Sequence, residues 1–173
     1  MTGWLAWIGL GSNLGDREAH LRLAVDRLAE NKDISIEDCS PVYECEAMLA
    51  KPNSPDQPAF LNAVIRIRTY LSPLSLLDVL HSVELMSGRT RDSTRWAARQ
   101  LDLDILLYED LSVTTDRLIV PHPGIPSRRF VLQPLYDLDP SLRIPEPVSL
   151  AVDEALSECR DEAVLVRTDV ALC

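Results

Sequence analysis

Two aspartates stand two positions apart within a short apolar segment, at residues 101–105. Because side chains alternate along a strand, Asp102 and Asp104 would share one face while their leucine and isoleucine neighbours face a core. Two carboxylates on one face repel each other unless a cation lies between them. Mg²⁺ takes oxygen ligands of this kind together with substrate phosphates. The pattern therefore indicates a magnesium site, with solvated aspartates on an exposed strand as the alternative.

Arginines are concentrated directly before this strand. Arg89, Arg91, Arg95 and Arg99 lie within residues 88–100, which contain one aspartate, although the whole chain has a net charge of −10. Guanidinium groups match phosphate oxygens in a bidentate way. Phosphoryl transfer depends mainly on positioning and charge neutralisation, so arginines beside paired carboxylates predict a site for magnesium and a nucleoside triphosphate. A solvated basic loop is the alternative.

Two further groups of residues could contribute to binding. Phe60 and Asn62 alternate onto one strand face, where an aromatic ring can stack on a flat heterocycle and an amide can bond its edge. Core packing is the alternative for both. His122 lies in a proline-rich turn near Arg117 and Arg128, where it could reach a phosphate or serve a structural purpose.

The glycines at the start of the chain resemble a dinucleotide-binding fingerprint, but the spacing differs. Gly9, Gly11 and Gly15 form GxGxxxG, one residue longer than the fingerprint, and the later chain does not continue as a Rossmann half. No Walker A motif exists, because no GK[ST] occurs. A nucleotide would therefore bind by another device.

Hydrophobic periodicity predicts an α+β fold. Strands are expected over 4–11, 33–45 with an interruption, 60–69, 101–108 and 117–120; helices are expected over 17–30, 73–87, 127–138 and 149–159. Asp16 is expected to cap the first helix, and Ser72 with Pro73 to begin the second. The β-α-β-β-α-β order predicts a ferredoxin-like antiparallel sheet with helices packed on one face, followed by a C-terminal extension.

Length and composition narrow the class of protein. The 173 residues predict a single domain over 1–173. No apolar run reaches the roughly 18 residues that span a bilayer, and residues 1–8 lack the features of a secretory signal, so a cytoplasmic location is expected. The acidic charge argues against nucleic acid and anionic membranes as partners. The four cysteines lack metal-site spacing and are expected to be reduced thiols.

Five segments in order resemble one known family. They are residues 8–14, 56–62, 84–89, 95–106 and 117–130. Together they are similar to the signature of the 6-hydroxymethyl-7,8-dihydropterin pyrophosphokinases, a family of folate-pathway enzymes. The resemblance spans about residues 3–140 and leaves 141–173 as an extension.

The resemblance implies a ferredoxin-like monomer that transfers diphosphate from ATP to the hydroxymethyl group of the reduced pterin and releases AMP. It also implies two Mg²⁺ ions held by Asp102 and Asp104, and Asn13 as a support of the site. The implied catalytic residues are Arg89, Arg99, Asp102 and Asp104. The implied ATP-binding residues are His81, Glu84, Arg89, Arg91, Trp96, Arg99, Ile105, Arg117, His122 and Arg128. The implied pterin-binding residues are Cys45, Phe60, Asn62, Trp96, Asp102 and Phe130.

Some positions depart from the family pattern, and other classes of function remain as alternatives. Cys45 stands where threonine is usual, and His81 where glutamine is common. One alternative is a slow or non-catalytic paralogue that binds nucleotide or pterin on the same scaffold. An RNA-binding module is opposed by the charge of −10. A nucleotidyltransferase would release pyrophosphate instead of AMP.

Overall fold

The computed structural model describes residues 3–47, 57–88 and 98–173. Within these ranges the strands are β1 (Trp4–Ser12), β2 (Ile34–Cys39), β3 (Tyr43–Cys45), β4 (Phe60–Thr69), β5 (Asp102–Tyr108), β6 (Val113–Thr114), β7 (Ile119–Val120) and β8 (Val166–Arg167). The helices are α1 (Arg17–Ala29), α2 (Pro73–Met86), α3 (Arg129–Leu138) and α4 (Val152–Glu158), with a 3₁₀ helix at Ile125–Ser127.

The main sheet has the strand order β5-β1-β4-β3-β8, and β2 pairs with the other half of β4. The pairings of β1 with β4 and β5, and of β4 with β2 and β3, are antiparallel. Ser40 lies in the predicted interruption between β2 and β3, where its hydroxyl accepts a hydrogen bond from Val64 N at 2.9 Å. The predicted ferredoxin-like α+β fold is therefore confirmed.

Helices α1 and α2 cover the first face of the sheet. Asp16 caps α1 by accepting from Ala19 N, and Ser72 caps α2 by accepting from Ser75 N, as predicted. Helical periodicity predicts a buried stripe on α2 formed by Leu76, Val79, Leu80, Val83 and Met86. Leu76, Leu80 and Val83 are buried as predicted, but Met86 is 65% exposed, and Leu77 is buried although the stripe does not include it.

Helices α3 and α4 cover part of the second face, which differs from the expectation of helices on one face only. The apolar cluster there contains Trp7, Val64 and Leu106 from three adjacent strands. It also contains residues of the C-terminal extension, including Val152 and Ala155 of α4. The extension therefore contributes to a core of the protein instead of lying loosely on its surface.

The last residues run along the edge of the sheet. β8 pairs with β3, and Thr168 N donates to Val42 O at 2.9 Å. Cys173 forms a disulfide with Cys39 of β2, so the expectation of four reduced thiols is wrong for this pair; Cys45 and Cys159 are free. The pairing spans 134 positions of the chain, which is why cysteine spacing did not indicate it.

A short two-stranded sheet, formed by β6 and β7, follows β5. The strand predicted over 117–120 is shorter, because β7 begins at Ile119 and pairs with β6. Arg117 lies before it, in the turn between the two strands. Among the described residues, no helix is both long and apolar enough to cross a membrane.

Candidate active site

A cavity of about 530 Å³ opens on the second face, beside the cluster of Trp7, Val64 and Leu106. Its floor is the central strand β1, where Gly11 is paired with Asn62 of β4 on one side and Asp102 of β5 on the other. Gly9 is likewise paired with Val64 and Asp104. Because the two glycines have no side chains, the groups on both flanking strands border one open space.

The two aspartates lie on the same side of β5, as the alternating sequence predicted. Asp102 and Asp104 line the cavity, while Leu103 between them is buried in the opposite core. Glu84 of α2 accepts a hydrogen bond from Leu103 N at 2.8 Å, which anchors this part of β5 to the helix. Asp102 Oδ1 also accepts from Arg99 Nη1 at 2.7 Å.

Asn13 forms hydrogen bonds with both the backbone N–H and the backbone carbonyl of Arg99. The N–H of Arg99 donates to Asn13 Oδ1 at 2.7 Å, and its carbonyl accepts from Asn13 N at 3.0 Å. Within the part of the chain that the structure describes, Arg99 Nε is buried without a hydrogen-bond partner. A buried donor of this kind is costly to leave unsatisfied, so an anionic ligand in the cavity would be favoured here.

Asn13 joins two segments that border the cavity. Besides its bonds to Arg99, its Nδ2 group donates to Gln57 Oε1 at 3.3 Å and to Pro58 O at 3.2 Å. Asn13 is only 1% exposed. Asn13 therefore connects Arg99, which precedes β5, to Gln57 and Pro58, which precede β4.

Aromatic and amide groups border the cavity opposite the aspartates. Phe60, Asn62 and Phe130 all line it, together with Cys45. Asn62 Nδ2 donates to Cys45 Sγ at 3.1 Å. Burial, reinforced by the carboxylate of Asp161, raises the pKa of the Cys45 thiol to about 11, so this group is neutral at physiological pH.

His122 and Arg128 complete a third side. His122 N donates to Leu106 O at 2.9 Å, and His122 Nδ1 accepts from Gly124 N at 3.0 Å. The ring therefore has Nε2 as the nitrogen that can donate. The guanidinium of Arg128 lies 5.9 Å from the ring centre of Phe130 and packs against Gly124, where a Cβ would come within 2.8 Å of Arg128 Cζ.

The cavity thus brings together nine of the residues that the sequence predicted. They are Cys45, Phe60, Asn62, Arg99, Asp102, Asp104, His122, Arg128 and Phe130. Four others do not line it. Glu84 of α2 and Ile105 of β5 are buried. His81 is exposed on α2, and Arg117 pairs with Asp78 on the surface. Arg89, Arg91 and Trp96 lie outside the described residues, and their roles stay predictions.

Sequence reasoning missed Gly9 and Gly11 as parts of the site. The GxGxxxG pattern differs from a dinucleotide fingerprint, but the spacing alone did not indicate that Gly9 and Gly11 form the floor of a cavity. The available signal was a pair of glycines two positions apart inside an apolar strand, where glycine often marks the close approach of a ligand.

An antiparallel α+β fold with carboxylates, arginines and aromatic rings around one cavity is suited to phosphoryl transfer onto a flat substrate. The family model described as 7,8-dihydro-6-hydroxymethylpterin-pyrophosphokinase matches residues 7–140, and the chain belongs to this family.

Curated relatives and solved structures agree with this assignment. The chain is 42% identical over 134 residues to the 2-amino-4-hydroxy-6-hydroxymethyldihydropteridine pyrophosphokinase of Bacillus subtilis, covering 78% of this chain and 77% of that one. It is 41% identical to the Pseudomonas aeruginosa protein of the same name, covering 91% and 93%. A solved HPPK-DHPS structure in complex with substrates matches with a TM-score of 0.70 at 14% identity, over 91% of this chain and 43% of that longer chain. The last likeness concerns the fold alone.

Family membership confirms the expected activity. The chain is an ATP-dependent pyrophosphokinase that acts on hydroxymethyldihydropterin in folate synthesis. These comparisons give no support to a slow or non-catalytic paralogue.

Proposed function

We propose that ATP and the reduced pterin bind side by side in the cavity on the second face and that diphosphate passes between them across the β1 floor. The observation that carries this proposal is the row formed by Asn62, Gly11 and Asp102 on three paired strands. One end of the row offers an amide beside an aromatic ring, and the other end offers a carboxylate beside an arginine.

The pterin is assigned to the side that Phe60, Asn62 and Phe130 border. Aromatic side chains stack on flat heterocycles, and the Asn62 amide, only 6% exposed, can both donate to and accept from the ring edge. Cys45 provides a neutral thiol next to that amide. Trp96 is proposed to cover the same substrate.

The phosphates are assigned to the side that Arg99, Asp102 and Asp104 border, with His122 and Arg128 at its rim. The donor set fits Mg²⁺, because two carboxylates line the same space and hard cations usually complete their coordination with water and phosphate oxygens. Among the described residues there is no group of three or more histidine, cysteine, aspartate or glutamate side chains that could hold a metal ion. Asp102 and Asp104 would hold two Mg²⁺ ions, which supply positive charge to the phosphate oxygens.

In the reaction, the pterin hydroxyl oxygen attacks the β-phosphorus in line, the bond between that phosphorus and the α-bridging oxygen breaks, AMP leaves with the electron pair, and the hydroxyl proton passes to solvent water. Arg99 lines the cavity and bonds to Asp102 through Nη1, so its guanidinium can turn from Asp102 toward the negative charge that develops on the phosphates. Arg89 and Arg91 are proposed to neutralise further phosphate charge. His81, Glu84, Ile105 and Arg117 lie outside the cavity, so their proposed contacts are with the part of the nucleotide that extends beyond the cavity past the edge strand β5.

A single monomeric domain over 1–173 is proposed for the whole chain. The extension supports this, because α4 completes the apolar cluster on the second face and β8 covers the outer side of β3. β8 itself is only two residues long, and very short edge strands disfavour pairing with another chain. A cytoplasmic location is proposed because the reaction consumes ATP.

The central test is product analysis. The protein is incubated with ATP, Mg²⁺ and 6-hydroxymethyl-7,8-dihydropterin, and the nucleotides are separated by chromatography. We expect AMP and the pterin diphosphate in equal amounts. Release of ADP or pyrophosphate would contradict diphosphate transfer.

The assignment of Arg99 is tested separately by the substitution Arg99→Ala. We expect the single-turnover rate to fall by about 10²-fold while pterin affinity, measured by titration, changes little, because the charge that Arg99 meets develops only during transfer. Arg27→Ala on the exposed side of α1 is the control. An equal loss of pterin affinity and rate would contradict this role.

A further inference from the structure

The N-terminus of α3 carries two residues of the cavity, but the residue at its cap position does not supply a capping side chain. Arg128 stands at the cap position and makes no side-chain capping hydrogen bond to the helix. Phe130 follows two positions later, and both side chains line the cavity. The first N–H groups of a helix need partners from outside the helix, and their alignment sets where the first side chains point.

The missing cap comes from the C-terminal extension. Asp161 Oδ2 accepts a hydrogen bond from Arg129 N at 2.8 Å, and Asp161 Oδ1 accepts from Ala163 N at 3.0 Å. A second contact joins the same two residues, because Arg129 Nη1 donates to Asp161 O at 3.4 Å. A carboxylate at a helix N-terminus is also attracted by the helix dipole.

The segment that carries Asp161 also reaches the opposite wall of the cavity. It continues into β8, which pairs with β3, the strand that ends at Cys45. The charge of Asp161 contributes to the raised pKa of Cys45, in agreement with this course of the chain. Asp161 therefore belongs to a segment that connects the helix of Phe130 with the strand of Cys45.

We infer that Asp161 is a positioning residue for the reduced pterin, which acts by holding the backbone of Arg129 and thereby the ring of Phe130. This inference rests on the proposed pterin role of Phe130. It assigns a purpose in substrate binding to the extension, because Asp161 lies beyond residues 7–140 that match the family model. The reaction step itself does not involve Asp161.

The test compares Asp161→Ala and Asp161→Asn with Asp169→Ala, which removes an exposed carboxylate from the same extension. We expect the KM for the pterin to rise about fivefold or more in Asp161→Ala, in line with the loss of a helix cap, and less in Asp161→Asn, which keeps a neutral acceptor. The kcat should change by less than about twofold, since no catalytic group is removed. Asp169→Ala should match the parent.

A double-mutant cycle with Phe130→Ala separates positioning from general destabilisation. If Asp161 acts through Phe130, Asp161→Ala will have no further effect on the pterin KM in the Phe130→Ala background. All assays are run well below the melting temperature of each variant; if Asp161→Ala does not fold, Asp161→Asn is used in the same cycle.

Three outcomes would overturn the inference. The first is a pterin KM in the Asp161 variants equal to that of Asp169→Ala, while Phe130→Ala still weakens binding, which leaves the proposed function intact. The second is an undiminished effect of the Asp161 substitution in the Phe130→Ala background. The third is an unchanged KM in Phe130→Ala itself, which would also remove the proposed pterin role of that ring.

Discussion

The second face of the sheet has two contrasting ends built on the same three strands. At one end, Trp7, Val64 and Leu106 pack beneath α3 and α4. At the other end, Gly11 is flanked by Asn62 and Asp102, and no large side chain rises from the central strand. The strands are continuous, so only side-chain size and polarity distinguish a packed core from an open cavity.

This difference shows how the site is made without a special loop at its base. At the packed end the three strands present apolar side chains on this face. At the open end the same face has glycine on β1, an amide on β4 and carboxylates on β5, at positions that are paired or adjacent in the sheet. The packed end stabilises the strands against the helices, and the open end uses the rigid backbone so obtained to place its polar groups.

The largest effect is expected at the open end, from Asp104→Ala. The rate of AMP formation should fall by about 10³-fold or more, because a lost metal-binding carboxylate removes several kcal/mol of charge stabilisation and each roughly 1.4 kcal/mol is tenfold in rate. The melting temperature should stay near that of the parent, since Asp104 is not in the core. Asp110→Ala, on an exposed residue after β5, is the control in the same chromatographic assay. Substantial residual turnover would contradict the metal-binding role.

The packed end should instead respond in stability. Trp7→Ala is expected to lower the free energy of unfolding by about 3–5 kcal/mol, because it removes a large side chain that is 6% exposed. Trp7→Phe is the matched control; it keeps a buried aromatic ring of smaller volume, and the Nε1 group that it removes has no partner among the described residues, so a smaller loss is expected. Urea unfolding followed by circular dichroism measures both. A fall in kcat of the folded Trp7→Ala protein would show that the two ends are not independent.

Much of this comparison could be predicted from sequence, because alternation along one strand is a local rule. It placed Asp102 and Asp104 on one side, and the capping preferences of Asp16 and Ser72 were equally local. What was missed depends on contacts distant in sequence. Asp161 reaches Arg129 across 32 positions, and no periodicity signals such a cap.

The glycine floor was missed for a different reason. Gly11 becomes informative only when its partners on both neighbouring strands are known, and register is a property of the folded sheet. Met86 shows the limit of helical periodicity, because Glu84 and Ser87 at the same end of α2 are buried while Met86 is exposed, so hydrophobicity did not show which side of the last turn is covered.

Gly11→Val would make the open end resemble the packed end. A Cβ at this position would lie 3.4 Å from Asn62 Oδ1 and 3.6 Å from Phe60 Cδ1, so it can be accommodated, but the valine methyl groups would enter the space assigned to the pterin. We expect the pterin KM to rise by about 10- to 100-fold with stability unchanged or slightly improved, because glycine weakens a strand interior. Titration with the reduced pterin measures the change.

Gly11→Ala provides the graded comparison for this substitution. Its single methyl group makes ordinary contacts, so a rise of only a few-fold is expected. Unchanged pterin binding in Gly11→Val would place the pterin elsewhere and would separate the glycine floor from substrate recognition.

The smallest effect concerns Cys45, where the chain departs from the threonine usual in the family. A threonine hydroxyl would offer the pterin a stronger hydrogen bond than the thiol, so Cys45→Thr should tighten pterin binding by about two- to fivefold, in keeping with the modest net value of one hydrogen bond. Cys159→Thr, at the second free cysteine, is the control. Weaker binding by Cys45→Thr would show that the pocket is adapted to sulfur.

The same variant has a distinct dependence on pH. Because burial raises the pKa of Cys45 from its ordinary value of 9.0 to about 11, the folded protein favours the protonated thiol more than the unfolded chain does. This contribution to stability is fully present below pH 9 and is lost as the pH rises through about 11. Cys45→Thr lacks the titrating group. Its free energy of unfolding minus that of the parent should therefore be larger at pH 10.5 than at pH 8. The opposite trend would mean that the thiol is ionised in the folded protein and that Asn62 donates to a thiolate.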